Sequence, residues 1–316
     1  MKPIITYDEH LNRFKPLYAE LINSKKSVWV MIVSACLFCA TNLSAQSYQD
    51  EINAWYQTRS KSLTAENGWL NLAGLYWLEE GKNSFGSGKD VKIKFPAGTI
   101  PGEAGYFELK NGTVTQYAGN GITILVNGQA TKKATIFDTI SRTAPVCAYE
   151  NLRWTIIKRG SKTGLRLRNL KSKSVSTFRG IEHYPADSNW IVTATLRTTT
   201  GLNSIAVTNV LGQVNAEKSP GKLHFSISGR EYALDALEEG NNLFIIFADA
   251  TSGETTYPSG RFLLAEKTSD GGKTILDFNK SYNPPCAFSD YATCPLPPKQ
   301  NILPIAVTAG EKTYHH

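Results

Sequence analysis

From Asn83 onward, apolar and polar positions alternate with period two in short runs cut by Gly, Asn and Pro, a pattern that predicts strands. The runs NSFGS, KDVKIKFP, AGYFELKNGTVTQYA, GITILVNGQATKKATIF and NLRWTIIKRGSKTGLRLRN follow one another without a helical interruption. Asn111-Gly112 and Asn127-Gly128 are hairpin signals, because a type I′ turn needs positive φ at both central residues. Short strands at this spacing predict a small antiparallel sandwich. Before it, QDEINAWYQTRSKSLT places Ile52, Trp55, Tyr56 and Leu63 on one face of a helix that ends at Asn67-Gly68. Asp50 and Glu51 sit in its first turn, where the helix dipole favours carboxylates. Trp69, Leu70, Leu72, Leu75, Trp77 and Leu78 then form a segment too apolar for a surface strand.

The second half repeats the strand pattern through FRGIEHYPADSNWIVTATLRT, SIAVTNVLGQV, GKLHFSISGREYALDAL, NLFIIFADAT, GRFLLAEK and TILDFN. NLFIIF is continuously apolar and predicts a strand buried on both faces. No segment past Thr64 keeps a helical period over the ~10–15 residues that a βαβ unit requires. The expected fold is all-β, with two packed sandwich or barrel parts and a short N-terminal helix. The boundaries are a signal segment over 1–45, a helix over 46–65, a first sandwich over 66–160 and a second β domain over 174–316, joined by a polar stretch near 161–177.

Residues 83–160 resemble a forkhead-associated domain in outline, through Gly86-Ser87, the Val91-Lys92-Ile93-Lys94-Phe95-Pro96 strand and the Val126-Asn127-Gly128 turn. The resemblance implies a fold. The Arg and the Ser-x-x-His pair of the family's phosphothreonine readers are missing, so it implies no phosphopeptide function. A wider resemblance, to the bacterial domain of unknown function 1684 family over the whole mature chain, rests on Gly68-Trp69-Leu70 with Gly74-Leu75 and Trp77-Leu78. It rests also on Phe178-Arg179-Gly180 with Tyr184-Pro185, on Asp249 to Gly253 with Thr256-Tyr257 and Gly260-Arg261-Phe262, and on the C-terminal stretch. That family brings no activity with it.

Charge and targeting signals narrow the classes. The formal charge is +7, but residues 1–45 hold five of the 34 Lys/Arg and three of the 27 Asp/Glu, leaving 29 against 24. A small excess spread over the rest is not the basic cluster of a nucleic-acid binder, so no nucleic-acid partner is expected. The longest basic run, Lys158 to Lys173, alternates like a strand, and its charges are read as the wet face of a sheet. Lys25 and Lys26 precede the apolar run Val28–Ala40, and Leu43-Ser44-Ala45 offers a cleavage site, which predicts export to the periplasm or cell envelope. Two alternatives stay open: a lipidated Cys36 after Val33-Ser34-Ala35, and a retained anchor. The membrane is expected as a partner only through this segment.

Removal of the segment leaves Cys147, Cys286 and Cys294. In an oxidising compartment Cys286 and Cys294 are disulfide candidates, with free thiols, metal ligation and a Cys nucleophile as the other readings. Chemistry-bearing residues concentrate in two places. The turn from Asp249 to Arg261 carries Thr256, Tyr257 and an arginine fork suited to a carboxylate, phosphate or sugar. The stretch from Leu276 to Lys312 carries Asp277, Asn279, Tyr282 and Asn283 beside a rigid Asn283-Pro284-Pro285 loop.

Together these eight residues predict a binding wall for a small polar or anionic ligand. The alternative pairing is Arg261 with Asp249 or Asp277 as a hairpin staple. His183, beside Glu182 and Asp187, and Asp277 are the candidate bases of a second reading, an uncharacterised hydrolase. In its other reading, His183 is a strand-end residue bonded to backbone. A third reading is a protein-interaction module. The sequence names no cofactor, no metal set and no oligomeric state.

Overall fold

The structure is a computed structural model that describes residues 47–140, 144–198 and 204–315. The readings of the signal segment and of Cys36 lie outside the described residues. Residues 47–64 form helix α1. It ends where a Cβ on Gly68 would lie 2.2 Å from the Leu63 carbonyl, so only glycine lets the chain fold back over the last turn.

Eleven strands follow as two facing sheets. One has the order β1 (Leu72–Trp77), β11 (Lys162–Asn169), β10 (Leu152–Arg159), β9 (Cys147–Tyr149), β6 (Ile124–Val126) and β7 (Gln129–Thr131). The other runs β3 (Ile93–Lys94), β2 (Gly81–Gly86), β4 (Gly105–Lys110), β5 (Thr113–Ala118) and β8 (Lys133–Phe137). Asn111 and Gly112 join β4 to β5, and Asn127 and Gly128 join β6 to β7, all with positive φ. Phe85, Phe107, Trp154, Ile156, Leu165 and Leu167 fill the space between the sheets. Trp154 Nε1 donates to Gln116 Oε1 at 2.8 Å, so the one buried polar atom of that indole is satisfied across the sandwich. Cys147 is a free thiol in the same core, and burial pushes its pKa up to about 12.

The sandwich does not stop at residue 160. β11 is its second strand in space and pairs with both β1 and β10. The polar stretch expected as a joint is therefore mostly a ladder-forming strand, and the connection shrinks to the residues around the short helix α2 (Lys173–Thr177), capped by Ser172.

In the second half, β12 (Ile191–Arg197), β15 (Gly221–Ile227), β16 (Arg230–Glu239), β17 (Asn242–Phe247), β18 (Arg261–Glu266) and β19 (Lys273–Asp277) make one sheet in the order β18-β17-β16-β15-β12-β19. The sheet curls until its two end strands meet. The Thr274 hydroxyl of β19 donates to the Glu266 carbonyl of β18 at 2.9 Å across the seam, giving a nearly closed barrel. A side hairpin, β13 (Ser204–Thr208) with β14 (Val214–Lys218), leaves this sheet. β17 is buried on both faces: Leu243, Ile245 and Phe247 point into the barrel with Phe278, while Phe244 and Ile246 pack outside it with Phe262 and Cys294. Each fully buried side chain of this kind contributes about 1.5–3 kcal/mol, which makes β17 the spine of the C-terminal half. After β19 the chain forms the Cys286–Cys294 loop, a disulfide with Cα atoms 6.1 Å apart. It then returns along the barrel as an extended C-terminal segment.

Candidate functional site

The C-terminal segment is held by two buried charge pairs. Gly260 has φ +81°, and a Cβ there would lie 2.4 Å from the Phe247 carbonyl, so this turn closes against β17 only with glycine. Arg261 follows it, fully buried. Its Nη2 donates to Asp249 Oδ2 at 2.9 Å and to the Val307 carbonyl at 3.0 Å. Its Nη1 donates to the carbonyls of Ala309 and Glu311. Those three carbonyls are two residues apart along the returning segment, which turns at Gly310, where φ is +81°. Asp249 is equally engaged: its Oδ1 accepts from the Thr251 amide and hydroxyl at 2.9 and 2.6 Å and from Val307 N at 3.1 Å. Thr256 hydrogen-bonds Thr251 at 2.8 Å behind it.

The second pair is Arg59 of α1 with Glu311. Arg59 Nε donates to Glu311 Oε1 at 3.0 Å, and Asn283 N donates to Oε2 at 2.7 Å. Arg59 Nη2 caps the Asn283 carbonyl at 2.9 Å, and its guanidinium lies 4.8 Å from the Tyr282 ring centre. Burial pushes the Glu311 carboxyl above its ordinary range, outweighing the pull of Arg59 and of the Asn283 amide. Burial likewise takes the Tyr282 phenol up to about 12 and raises Tyr257.

The other predicted residues serve the same frame. Asp277 caps the turn Phe278–Lys280 by accepting from Asn279 N at 3.1 Å. The Asn279 amide pairs with the Asp187 backbone in both directions at 2.9 Å. Asn283 Nδ2 donates to the Lys312 carbonyl at 2.7 Å. His183 lies flat on Tyr56, with ring centres 3.7 Å apart and planes 7° apart, and its Nδ1 donates to the Tyr184 carbonyl at 2.8 Å. No hydrogen bond among the described residues joins His183 to Asp277. Asp249, Arg261, Thr256, Asn279 and Asn283 are thus drawn together, but around the C-terminal segment, with their side chains buried. Among the described residues, no group of three or more His, Cys, Asp or Glu is placed to hold a metal ion.

What the frame builds is a cleft beside it. Lys312 N donates to the Glu182 carbonyl at 2.8 Å, Thr313 N to the Thr255 carbonyl at 3.0 Å and Tyr184 N to the Gly310 carbonyl at 3.0 Å. These bonds set residues 313–315 opposite residues 177–182. Between them is a cavity of about 390 Å³ lined by Thr177, Arg179, Gly180, Ile181, Glu182, Thr313, Tyr314 and His315. Arg179 Nη1 donates to the carbonyls of Ser176 and Phe178 at 3.2 Å each, while its Nε and Nη2 donate to no described residue. The Tyr314 ring packs on Phe288 and Phe178, which gives the cleft an apolar floor, and burial raises its phenol pKa.

Residues 176–312 match the family model described as protein of unknown function DUF1684. The chain belongs to this family. The match takes in the Phe178-Arg179-Gly180 and Tyr184-Pro185 motifs, the Asp249–Phe262 turn and most of the C-terminal segment, and it leaves out the Gly68–Leu78 motifs. The solution NMR structure of an uncharacterised protein from Haloarcula marismortui is 32% identical, and the alignment covers 45% of this chain and 80% of that one with a TM-score of 0.38. No curated protein matches the chain. Within the family-matched region, the pairing of Glu311 with Arg59 and the place of Arg179 at the cleft were not read from the sequence. Arg59, outside it, had a legible signal: it sits seven residues after Ile52 and four before Leu63, a cation on the apolar stripe of α1.

Proposed function

We propose that the protein is exported and binds a small polar or anionic ligand in the cleft between residues 177–182 and 313–315. The observation that carries this reading is Arg179. Its guanidinium stands at the wall of a cavity whose volume falls in the range of small-molecule sites, and two of its nitrogens are left to donate. A planar fork of this kind suits a carboxylate or phosphate. Glu182 on the same wall accepts from an amine or hydroxyl of the ligand, and Tyr314 offers an apolar face to its body. In this reading Asp249, Arg261, Glu311 and Asn283 act by fixing the C-terminal segment that forms the second wall. Export is supported by the targeting signals of the sequence and by a Cys286–Cys294 bond, which persists best in an oxidising compartment. A hydrolase built on His183 or Asp277 has less behind it, since neither residue lines the cleft.

A thermal-shift panel of dicarboxylates, amino acids and sugar phosphates tests the proposal. A member present at 100 times its dissociation constant adds about 2.7 kcal/mol to the stability. Removing a charge-assisted hydrogen bond of about 1.5–3 kcal/mol predicts that Arg179→Ala weakens that member by roughly 10- to 150-fold. A panel that is silent, or a response that Arg179→Ala leaves unchanged, contradicts the proposal.

A further inference from the structure

Where β8 of one sandwich sheet and β10 of the other reach their last residues, a cavity of about 460 Å³ remains between them. Its floor is the margin of the core itself: Phe137 and Ile156 belong to the side chains that fill the sandwich, and half-buried Ala144 packs against them. Ile157 and Thr139 complete the wall. Alternation explains how a cation comes to stand over this apolar floor. Leu152, Trp154 and Ile156 of β10 point between the sheets, and the same period sends position 158 that way too. Lys158 is therefore on the core side of its strand, and it is exposed at the rim of the cavity, beside Ile156.

The charge at this rim has one sign. Lys158 and Arg159 line the cavity, and no Asp or Glu among the described residues does. Arg159 is already held, its Nε donating to the Thr293 hydroxyl at 3.0 Å and its Nη1 to the Lys158 carbonyl at 2.9 Å. The Lys158 ammonium, by contrast, has no hydrogen bond or ion pair with any described residue. Asp138, next to Phe137 along the chain, is not a lining residue, and its Oδ1 accepts from Ile140 N at 2.8 Å. Ile140 itself is 94% exposed beside Thr139, so apolar surface continues out of the mouth. A purely polar solute gains nothing from such a floor, and a neutral hydrocarbon leaves the ammonium unused. A molecule with an alkyl chain and one anionic head uses both, the arrangement of an apolar pocket in which a single polar group fixes orientation.

We propose that this end of the sandwich binds a small anionic amphiphile, a straight-chain carboxylate of medium length. The chain lies against Phe137, Ala144, Ile156 and Ile157, and the carboxylate meets the Lys158 ammonium at the rim. The site is separate from the Arg179 cleft and takes a different class of ligand, one whose binding grows with its hydrocarbon.

The test is calorimetric titration of the full chain with hexanoate, octanoate and decanoate, each below its micelle concentration. Every CH₂ that enters apolar surroundings raises affinity about fourfold, so octanoate is expected to bind roughly 15-fold more tightly than hexanoate. The same series is expected in Arg179→Ala protein. Octylammonium, with the same chain and the opposite charge, is expected to bind at least about tenfold more weakly than octanoate. Lys158→Gln is expected to lower octanoate affinity at least about fivefold and to leave that of 1-octanol unchanged. Ala144→Phe fills the cavity and is expected to abolish binding of the whole series. If Ala144→Phe does not fold, the comparison of octanoate with 1-octanol in Lys158→Gln protein decides. No binding of decanoate to wild type overturns the proposal, as does an affinity that is flat along the series. A series lost in Arg179→Ala protein, or octanoate binding that Lys158→Gln leaves unchanged, overturns it equally.

Discussion

Asp249 and Arg261 show how a pair of charges becomes a structural joint. Both side chains are fully buried, and of the Arg261 guanidinium only Nε finds no partner among the described residues. Removing one partner strands the other, so Asp249→Ala is expected to lose about 3–5 kcal/mol of stability in urea unfolding. A loss below 1 kcal/mol would mean that Arg261 does not depend on it. Glu311 gives a prediction with a sign. Its folded pKa lies above the ordinary value because burial outweighs Arg59. The stability it contributes is therefore present below about pH 4.5 and falls as pH rises through the folded value. Melting temperatures from pH 4 to 8 should accordingly shift in favour of Glu311→Gln relative to wild type as pH rises. A shift of the opposite sign would show that the ion pair wins. At this scale the pairing of Arg261 with Asp249 was one of two readings open in the sequence. The three carbonyls that Arg261 also holds were not legible, because they belong to a segment 46 to 50 residues away.

Strands and turns were the most legible elements, since period-two alternation and Asn-Gly pairs act locally. The exception is β11. Its alternation was read correctly, but burial of its outer face depends on what the C-terminal half lays over it, which no local pattern encodes. Arg166, only 8% exposed, consequently looked like a solvated charge. The loop Cys286–Cys294 is another element whose spacing gave several chemistries, and only the folded chain brings the two sulfurs together. Closing a loop of about nine residues restricts the unfolded chain by about 2–3 kcal/mol in the chain-entropy estimate. Cys294→Ser, or reduction, is expected to lower the urea midpoint accordingly. An unchanged midpoint would place the loop's order in its prolines and in Phe288 packing instead.

Over the whole molecule, the all-β class and the division into a sandwich and a barrel-like half follow from composition and periodicity. The boundary did not, because β11 is polar on one face and still central to its sheet. Of the eight residues read as a ligand wall, Asp249, Arg261 and Asn283 turn inward to hold the C-terminal segment, and the cleft proposed beside it has other residues at its surface. Arg179 is therefore the residue on which ligand binding in the cleft depends most directly. Its Nε–Hε signal can be assigned in the arginine region of a ¹⁵N-resolved spectrum by its loss in Arg179→Lys. Titration with a dicarboxylate or sugar phosphate that raises the melting temperature should move that signal in a saturable way. If the signal stays fixed while the ligand binds, the ligand sits elsewhere and the cleft is not the site.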